Sequence, residues 1–448
     1  MKLPRVKGWW LAAALLVVLI VGFACLNRRP KALDQRLARY RAAGQPTTLA
    51  ELDAWYRAVP EAENAAPELL EAIAAWRHLD RNNPVLPANG SSHPNPDAAW
   101  LASAGAELAS NAVPLAQIHA ALDRPRSRYP VSLLAGAASS IAHVASAKQV
   151  AQQLSSEARF AAETGDPERA TTALLAMLRT ARTLEEEPLL ISYLVRIALN
   201  AIAIDATQAV ISRSPLNEAG LRRLQQAFVA AESTNHIARA IAGERCLILD
   251  ALNQPALKMF TAFAAPGNSS PQLFPMIFAR LYDLSGLKGD DFSFCLDRLD
   301  DLADGVARPR SDATAPQHEL QVQIDSLSSW RGRLRPISRQ TLPSFVKVLS
   351  KDLRSVATLR CAQTALAVER WRLAHAGSLP PSLNAMVPEY LAAVPEDPMD
   401  GKPLKYRTLS PGYVVYSLGE DGTDDGGKER VPGSGVTKGW DYTFTVTR

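Results

Sequence analysis

The last hundred or so residues change their apolar spacing in a way that only a mixed α+β unit can satisfy. Val356, Leu359, Ala362, Leu366 and Leu373 fall close to one face of a helix predicted over residues 345–376. Proline then interrupts the chain at Leu379-Pro380-Pro381, Val387-Pro388 and Pro395-Glu396-Asp397-Pro398, which no continuing helix tolerates. Beyond these the period falls to two, in Tyr413-Val414-Val415-Tyr416 and Tyr442-Thr443-Phe444-Thr445-Val446, and Pro411-Gly412 supplies a hairpin turn. The expectation is a helix on a small antiparallel sheet with strands at 405–408, 413–417 and 442–446.

The remainder reads as helix. Alanine is abundant and aromatic residues make up only 6% of the 448, a balance that favours packed helices over sheet. The length exceeds a single core, so more than one folded unit is expected: an anchor at 1–31, an α-helical body at 32–344 and the α+β unit at 345–448. Loops are placed near 80–97, 264–272 and 305–318, where proline, glycine and asparagine cluster. In the body, Thr47-Thr48 marks a helix start. Gly165-Asp166-Pro167 separates helices over 147–164 and 168–184, with Asp166 as cap and Gly165 ending the first. This hairpin is similar to a tetratricopeptide unit, but no second copy follows at a fixed period, so it is assigned to a bundle. Residues 187–211 form the most apolar helix of the body. Arg196 and Asp205 interrupt it, which places it at the centre of the bundle with Leu190, Leu194 and Ile197 buried, rather than across a bilayer.

From Trp9 to Leu26 there are eighteen residues without a charge, long enough at about 1.5 Å per residue for a single membrane span. A cleaved signal peptide shares this pattern. Lys2, Arg5, Lys7, Arg28, Arg29 and Lys31 flank the segment; without these six of the 49 basic residues the body carries 43 basic against 45 acidic. A nucleic-acid partner is therefore not indicated. Cys25 lies in the segment, and Cys246, Cys295 and Cys361 show no Cys-x-x-Cys spacing, which excludes a disulfide scaffold and a zinc site.

Nucleophile and phosphate-loop signatures are absent: there is no Gly-x-Ser-x-Gly, His-Glu-x-x-His or Gly-Lys-Ser/Thr. The seven histidines are dispersed with no helical ligand spacing, which reads as surface or satisfied side chains. Glu185-Glu186-Glu187 reads as carboxylates at a helix N-terminus. Tyr193, Arg196 and Asn200 share one stripe with Glu187 a turn before, a pattern of either a packing ion pair or a binding site. In the tail, Asp421, Thr423 and Asp425 alternate and Gly426 takes the sixth place, the way oxygen-rich calcium loops begin. An EF-hand needs glutamate at the twelfth place, where this chain has Pro432, so the helix–loop–helix form is excluded.

The order of these features, from Leu379-Pro380-Pro381-Ser382-Leu383 through Tyr416-Ser417-Leu418-Gly419-Glu420-Asp421-Gly422, resembles the C-terminal domain of the major pseudopilin of type II secretion systems. The resemblance covers residues 352–448, about a fifth of the chain. It implies calcium in the acidic loop, with Asp421 carried over directly. The family's later aspartate, a few residues before a tryptophan, has no match before Trp440, which leaves Asp424, Asp425 or Asp441 to substitute. The expected ligand set is therefore Leu418, Asp421, Asp424, Asp425 and Asp441. The resemblance also implies a single-pass protein of the inner membrane with its body on the periplasmic side, beside a protein partner of a secretion-like assembly. Charge counting alone would put the body in the cytoplasm, but long soluble domains translocate with little regard to charge. The N-terminal segment departs from a pilin: counting five from Trp9 reaches Ala13 where pilins carry glutamate, so a filament subunit is not expected. Three readings follow: an anchored extracytoplasmic binding or scaffolding protein, a helical peptide- or protein-binding module with the C-terminal unit as a cap, and an enzyme with a site scattered over the body. An open groove along paired helices would mark the second, and a deep pocket lined by charged residues the third.

Overall fold

Local capping signals set many of the helix ends. Thr48 Oγ1 accepts from the Glu51 N–H at the start of the second helix, and Asp166 accepts from the Arg169 N–H at the start of the seventh. In chain order the helices are α1 (33–42), α2 (Leu49–Trp55), α3 (Ala66–Ala75), α4 (Ala98–Ser110), α5 (Ala112–Leu122), α6 (Ala142–Glu163), α7 (Pro167–Arg182), α8 (Leu190–Arg213) and α9 (Glu218–Ala231). They continue with α10 (Asn235–Leu252), α11 (Ala256–Ala262), α12 (Leu273–Leu284), α13 (Leu287–Val306), α14 (Ala315–Ser326) and α15 (Pro336–Ala374). Strands β1 (Lys405–Leu409), β2 (Gly412–Ser417) and β3 (Tyr442–Val446) follow. The computed structural model describes residues 33–79, 97–232, 235–262, 273–306, 314–329, 332–430 and 439–447. The apolar segment from Trp9 to Leu26, all but the last residue of the 80–97 loop, the 264–272 loop and residues 307–313 of the third loop lie outside these. The protein is mainly helical with a small C-terminal antiparallel sheet.

The α6–α7 hairpin is formed as expected, with Gly165 at φ +77°, the left-handed conformation that a Cβ would strain. Around it α3, α5, α8 and α9 build a core through Leu69, Ile118, Leu154, Leu174, Leu224 and Phe228. The same core continues without a break into Leu366, Tyr413, Val415, Phe444 and Val446. A second core, from Ile241, Tyr282, Phe292, Leu299, Leu342 and Phe345, joins α10, α12 and α13 to the first half of α15. Helix α15 is thus a spine shared by both cores. It begins at Pro336, not at residue 345, and runs through Pro343.

The cause of that early start lies far away in sequence. The carboxylate of Asp291, on α13 and fully buried, accepts from the backbone N–H groups of Ile337 (2.8 Å) and Ser338 (3.0 Å) and from the Ser338 hydroxyl (2.5 Å). The Tyr282 hydroxyl donates to it as well (2.6 Å). A helix needs its first N–H groups satisfied, and here a distant side chain does so.

Among the described residues α8 alone is long and apolar enough to cross a membrane, with mean hydropathy 1.5, and half of its apolar window is buried. It lies against α6, α7, α10 and α15, and Arg159 binds its Asp205 at 2.7 Å. These contacts make it a core helix. Its inward face differs from expectation, however. Leu190, Leu194 and Ile197 are only partly buried against the second core, whereas Tyr193, Arg196, Leu199, Asn200 and Ala203 point inward. The neighbouring helices meet α8 on its polar stripe, which its composition alone did not reveal.

The sheet has the order β1-β2-β3, with Lys405 opposite Tyr416 and Ser417 opposite Tyr442. Tyr413 and Val415 of β2 face the first core, and the Tyr413 hydroxyl donates to Glu369 of α15 (3.0 Å). The other face of β2 is covered by the acidic tail loop. Gly427 sits at φ +74°, which strains an L side chain, and a Cβ there would crowd Val414 and Tyr416 at 3.0 Å.

Candidate functional site

The acidic loop leaves β2 through a buried anchor. Asp397 accepts from the Ser417 hydroxyl (2.7 Å), the Leu418 N–H (2.8 Å) and the Met399 N–H (2.8 Å). Leu418 is therefore tied to Asp397 at the base of the loop. Asp421 accepts from Thr423 (3.1 Å) and from Gly439 (3.2 Å), which joins the loop to the segment entering β3. Asp424 turns outward, where Lys405 Nζ lies at 3.3 Å and the Gly426 N–H donates at 3.0 Å. Burial raises the Asp424 carboxyl, but the Gly426 N–H, Lys405 and Tyr416 outweigh it and hold the group below the usual carboxylate range.

Asp425 and Asp441 are brought together. One oxygen of Asp441 accepts from the Asp425 N–H (3.1 Å) and the Gly427 N–H (2.8 Å). The other oxygen of Asp441, and Oδ2 of Asp425, are buried with no hydrogen-bond partner. Asp441 is only 2% exposed. Its carboxyl is raised by burial and by the adjacent charges of Asp425 and Asp424, against the lowering effect of the Gly427 N–H. An unpartnered carboxylate oxygen on each of two neighbouring aspartates is the donor type that a hard cation takes. Of the expected ligand set the fold brings Asp425 and Asp441 together, while Asp424 faces Lys405, Asp421 accepts from Thr423 and Gly439, and Leu418 is tied to Asp397 through its N–H. Among the described residues no group of three or more His, Cys, Asp or Glu side chains is placed to hold a metal, so the remaining ligands of a bound cation would be backbone carbonyls or water. Trp440, packed edge-on against Tyr442 with ring centroids 5.2 Å apart, borders the pair in sequence.

The three glutamates before α8 do not act as one acidic cluster. Glu185 faces His236 (3.0 Å), Glu186 faces Arg239 (3.4 Å) and Glu187 accepts from His143 (2.9 Å) and the Ser192 hydroxyl (2.5 Å). The first N–H of α8 is capped instead by Glu244 of α10 (3.2 Å). The expected pairing of Glu187 with Arg196 is therefore replaced by Glu187–His143. The other described glutamate-facing histidines are His78 with Glu107 and His119 with Glu157. Sequence reasoning missed these pairs because each joins residues distant in the chain. The cysteines 246, 295 and 361 are free and buried, with burial pushing the first two thiols up to about 12, so they are inert as nucleophiles at neutral pH.

No family model, curated protein or solved structure matches the chain.

Proposed function

We propose that this chain is a membrane-anchored, extracytoplasmic binding or scaffolding protein whose C-terminal unit, similar to that of a major pseudopilin, is stabilised by calcium and serves beside a secretion apparatus. The observation that carries the reading is the pair of stranded carboxylate oxygens on Asp425 and Asp441. Asp425 and Asp441 would hold the ion, and the ion would neutralise them and tie the loop to the start of β3. The anchor, the periplasmic placement and the secretion-like partner rest on the sequence from Trp9 to Leu26 and on the resemblance. The second reading, a helical binding module with the C-terminal unit as a cap, draws support from the core that runs unbroken from the α6–α7 hairpin into the sheet.

Thermal unfolding of the full chain tests the calcium reading. With a Kd of roughly 10⁻⁴–10⁻³ M, a few millimolar calcium stabilises the folded state by about 1–2 kcal/mol. Melting should rise by about 1–2 °C relative to chelator. The effect has a pH sign. Because the Asp441 carboxyl is raised in the fold, its ionisation weakens the fold as pH climbs through that raised value, and below the ordinary carboxylate range of about 4 there is no such penalty. Calcium should therefore stabilise strongly near neutral pH and hardly at all near pH 4. Identical melting with calcium and with chelator at neutral pH would refute the reading.

A further inference from the structure

A groove of about 280 Å³ lies between α7, α8 and α9, and two of its buried lining residues each leave one polar atom without a hydrogen-bond partner. Arg196, 6% exposed, has no hydrogen-bond partner for Nε, and Asn200, 2% exposed and one turn on, has none for Oδ1. Leaving such groups stranded is unfavourable, more so for the charged one, so a ligand that satisfies both is favoured. The walls are apolar: Leu175, Leu178, Ala227 and Ala231. Arg182 stands at the junction with an adjoining cleft of about 390 Å³, which Arg57, Arg124 and Arg126 also line.

We propose that this groove binds the free carboxyl terminus of a peptide that ends in an apolar residue and carries acidic residues upstream. The carboxylate pairs with the guanidinium groups of Arg182 and Arg196, both in the lining, where charge-assisted hydrogen bonds hold a planar anion. The terminal amide N–H donates to Asn200 Oδ1. The last side chain fills the apolar walls, and the preceding acidic residues follow the arginines of the adjoining cleft. A ligand needs both an acceptor and a donor to satisfy Arg196 and Asn200 together, and a peptide terminus presents its carboxylate and the preceding N–H at a fixed spacing. Glu185, also in the lining, is held ionised: burial raises its carboxyl, but His236, Arg196 and Arg182 outweigh this. Its charge disfavours a phosphate dianion more than a single carboxylate. The Tyr193, Arg196 and Asn200 stripe thereby acquires a role beyond packing.

This inference rests on the binding reading of the body and not on the calcium loop, so a failed calcium response leaves it standing and a failed peptide titration leaves the calcium response standing. The test is fluorescence anisotropy of the full chain with a labelled acidic hexapeptide ending in a free leucine carboxylate. Amidating that terminus should weaken binding at least tenfold, and Arg196→Met should do the same. Because Arg196 is buried, Ala230→Trp, at an exposed position on the rim, provides a second variant that obstructs the groove without stranding a charge, and it too should weaken binding at least tenfold. Three results would overturn the proposal: no binding of the free-acid peptide, equal binding of the amide, or displacement by inorganic phosphate at concentrations comparable to the peptide.

Discussion

Replacing Asp291 by alanine is expected to remove about 3–5 kcal/mol of stability, because one buried carboxylate answers four donors at once. Ile337 N–H, Ser338 N–H, the Ser338 hydroxyl and the Tyr282 hydroxyl all end on it. Truncation strands these donors in a site closed to water and takes the negative charge from the positive end of α15. Asn should rescue only in part, since its amide group turns a second donor toward donors already there. Urea unfolding of the full chain followed by circular dichroism measures the loss. A change below about 1 kcal/mol would contradict the assignment of Asp291 as the cap of α15.

Asp397→Ala carries the second large effect, about 2–5 kcal/mol, and it reaches the calcium loop as well. Ser417, Leu418 and Met399 each lose their acceptor, and the first two are the end of β2 and the base of the loop. The variant should therefore melt earlier and also lose its response to calcium. Asp400→Ala is the matched control: Asp400 accepts from the Lys402 N–H (3.0 Å) in a partly exposed turn, and its removal should change stability by about 0.5 kcal/mol or less. Equal effects of the two substitutions would show that the buried bonds of Asp397 contribute nothing special.

What could be read in advance was what local sequence encodes. Asp166 and Gly165 bracket the α6–α7 turn, β3 alternates along its own length and Pro411-Gly412 marks the turn before β2, so the hairpin and the sheet were visible, although β2 is buried on both faces because the tail loop covers it. The start of α15 was not, because Pro343 reads as a stop while the group that supports the earlier turn, Asp291, is on another helix. The inward face of α8 was misjudged for the same reason: hydrophobicity points to Leu194, but the helices packed around α8 select Tyr193, Arg196 and Asn200. In the tail, the alternating acids drew attention to the loop that covers β2. Which two would converge depended on β3 returning beside β2, which brings Asp441 to Asp425. The groove and the arginine cleft beside it draw on α7, α8, α9 and the segments before α3 and α6, and only the Arg196–Asn200 stripe of the groove was legible along a single helix.

Terbium, a hard oxygen-seeking ion that can be excited through a neighbouring indole, offers the most direct measurement of the proposed cation site, since Trp440 adjoins Asp441. Excitation of tryptophan in the full chain should give sensitised terbium emission that millimolar calcium displaces and that Asp441→Asn abolishes. Absence of sensitised emission, or emission that survives Asp441→Asn unchanged, would contradict a cation between Asp425 and Asp441.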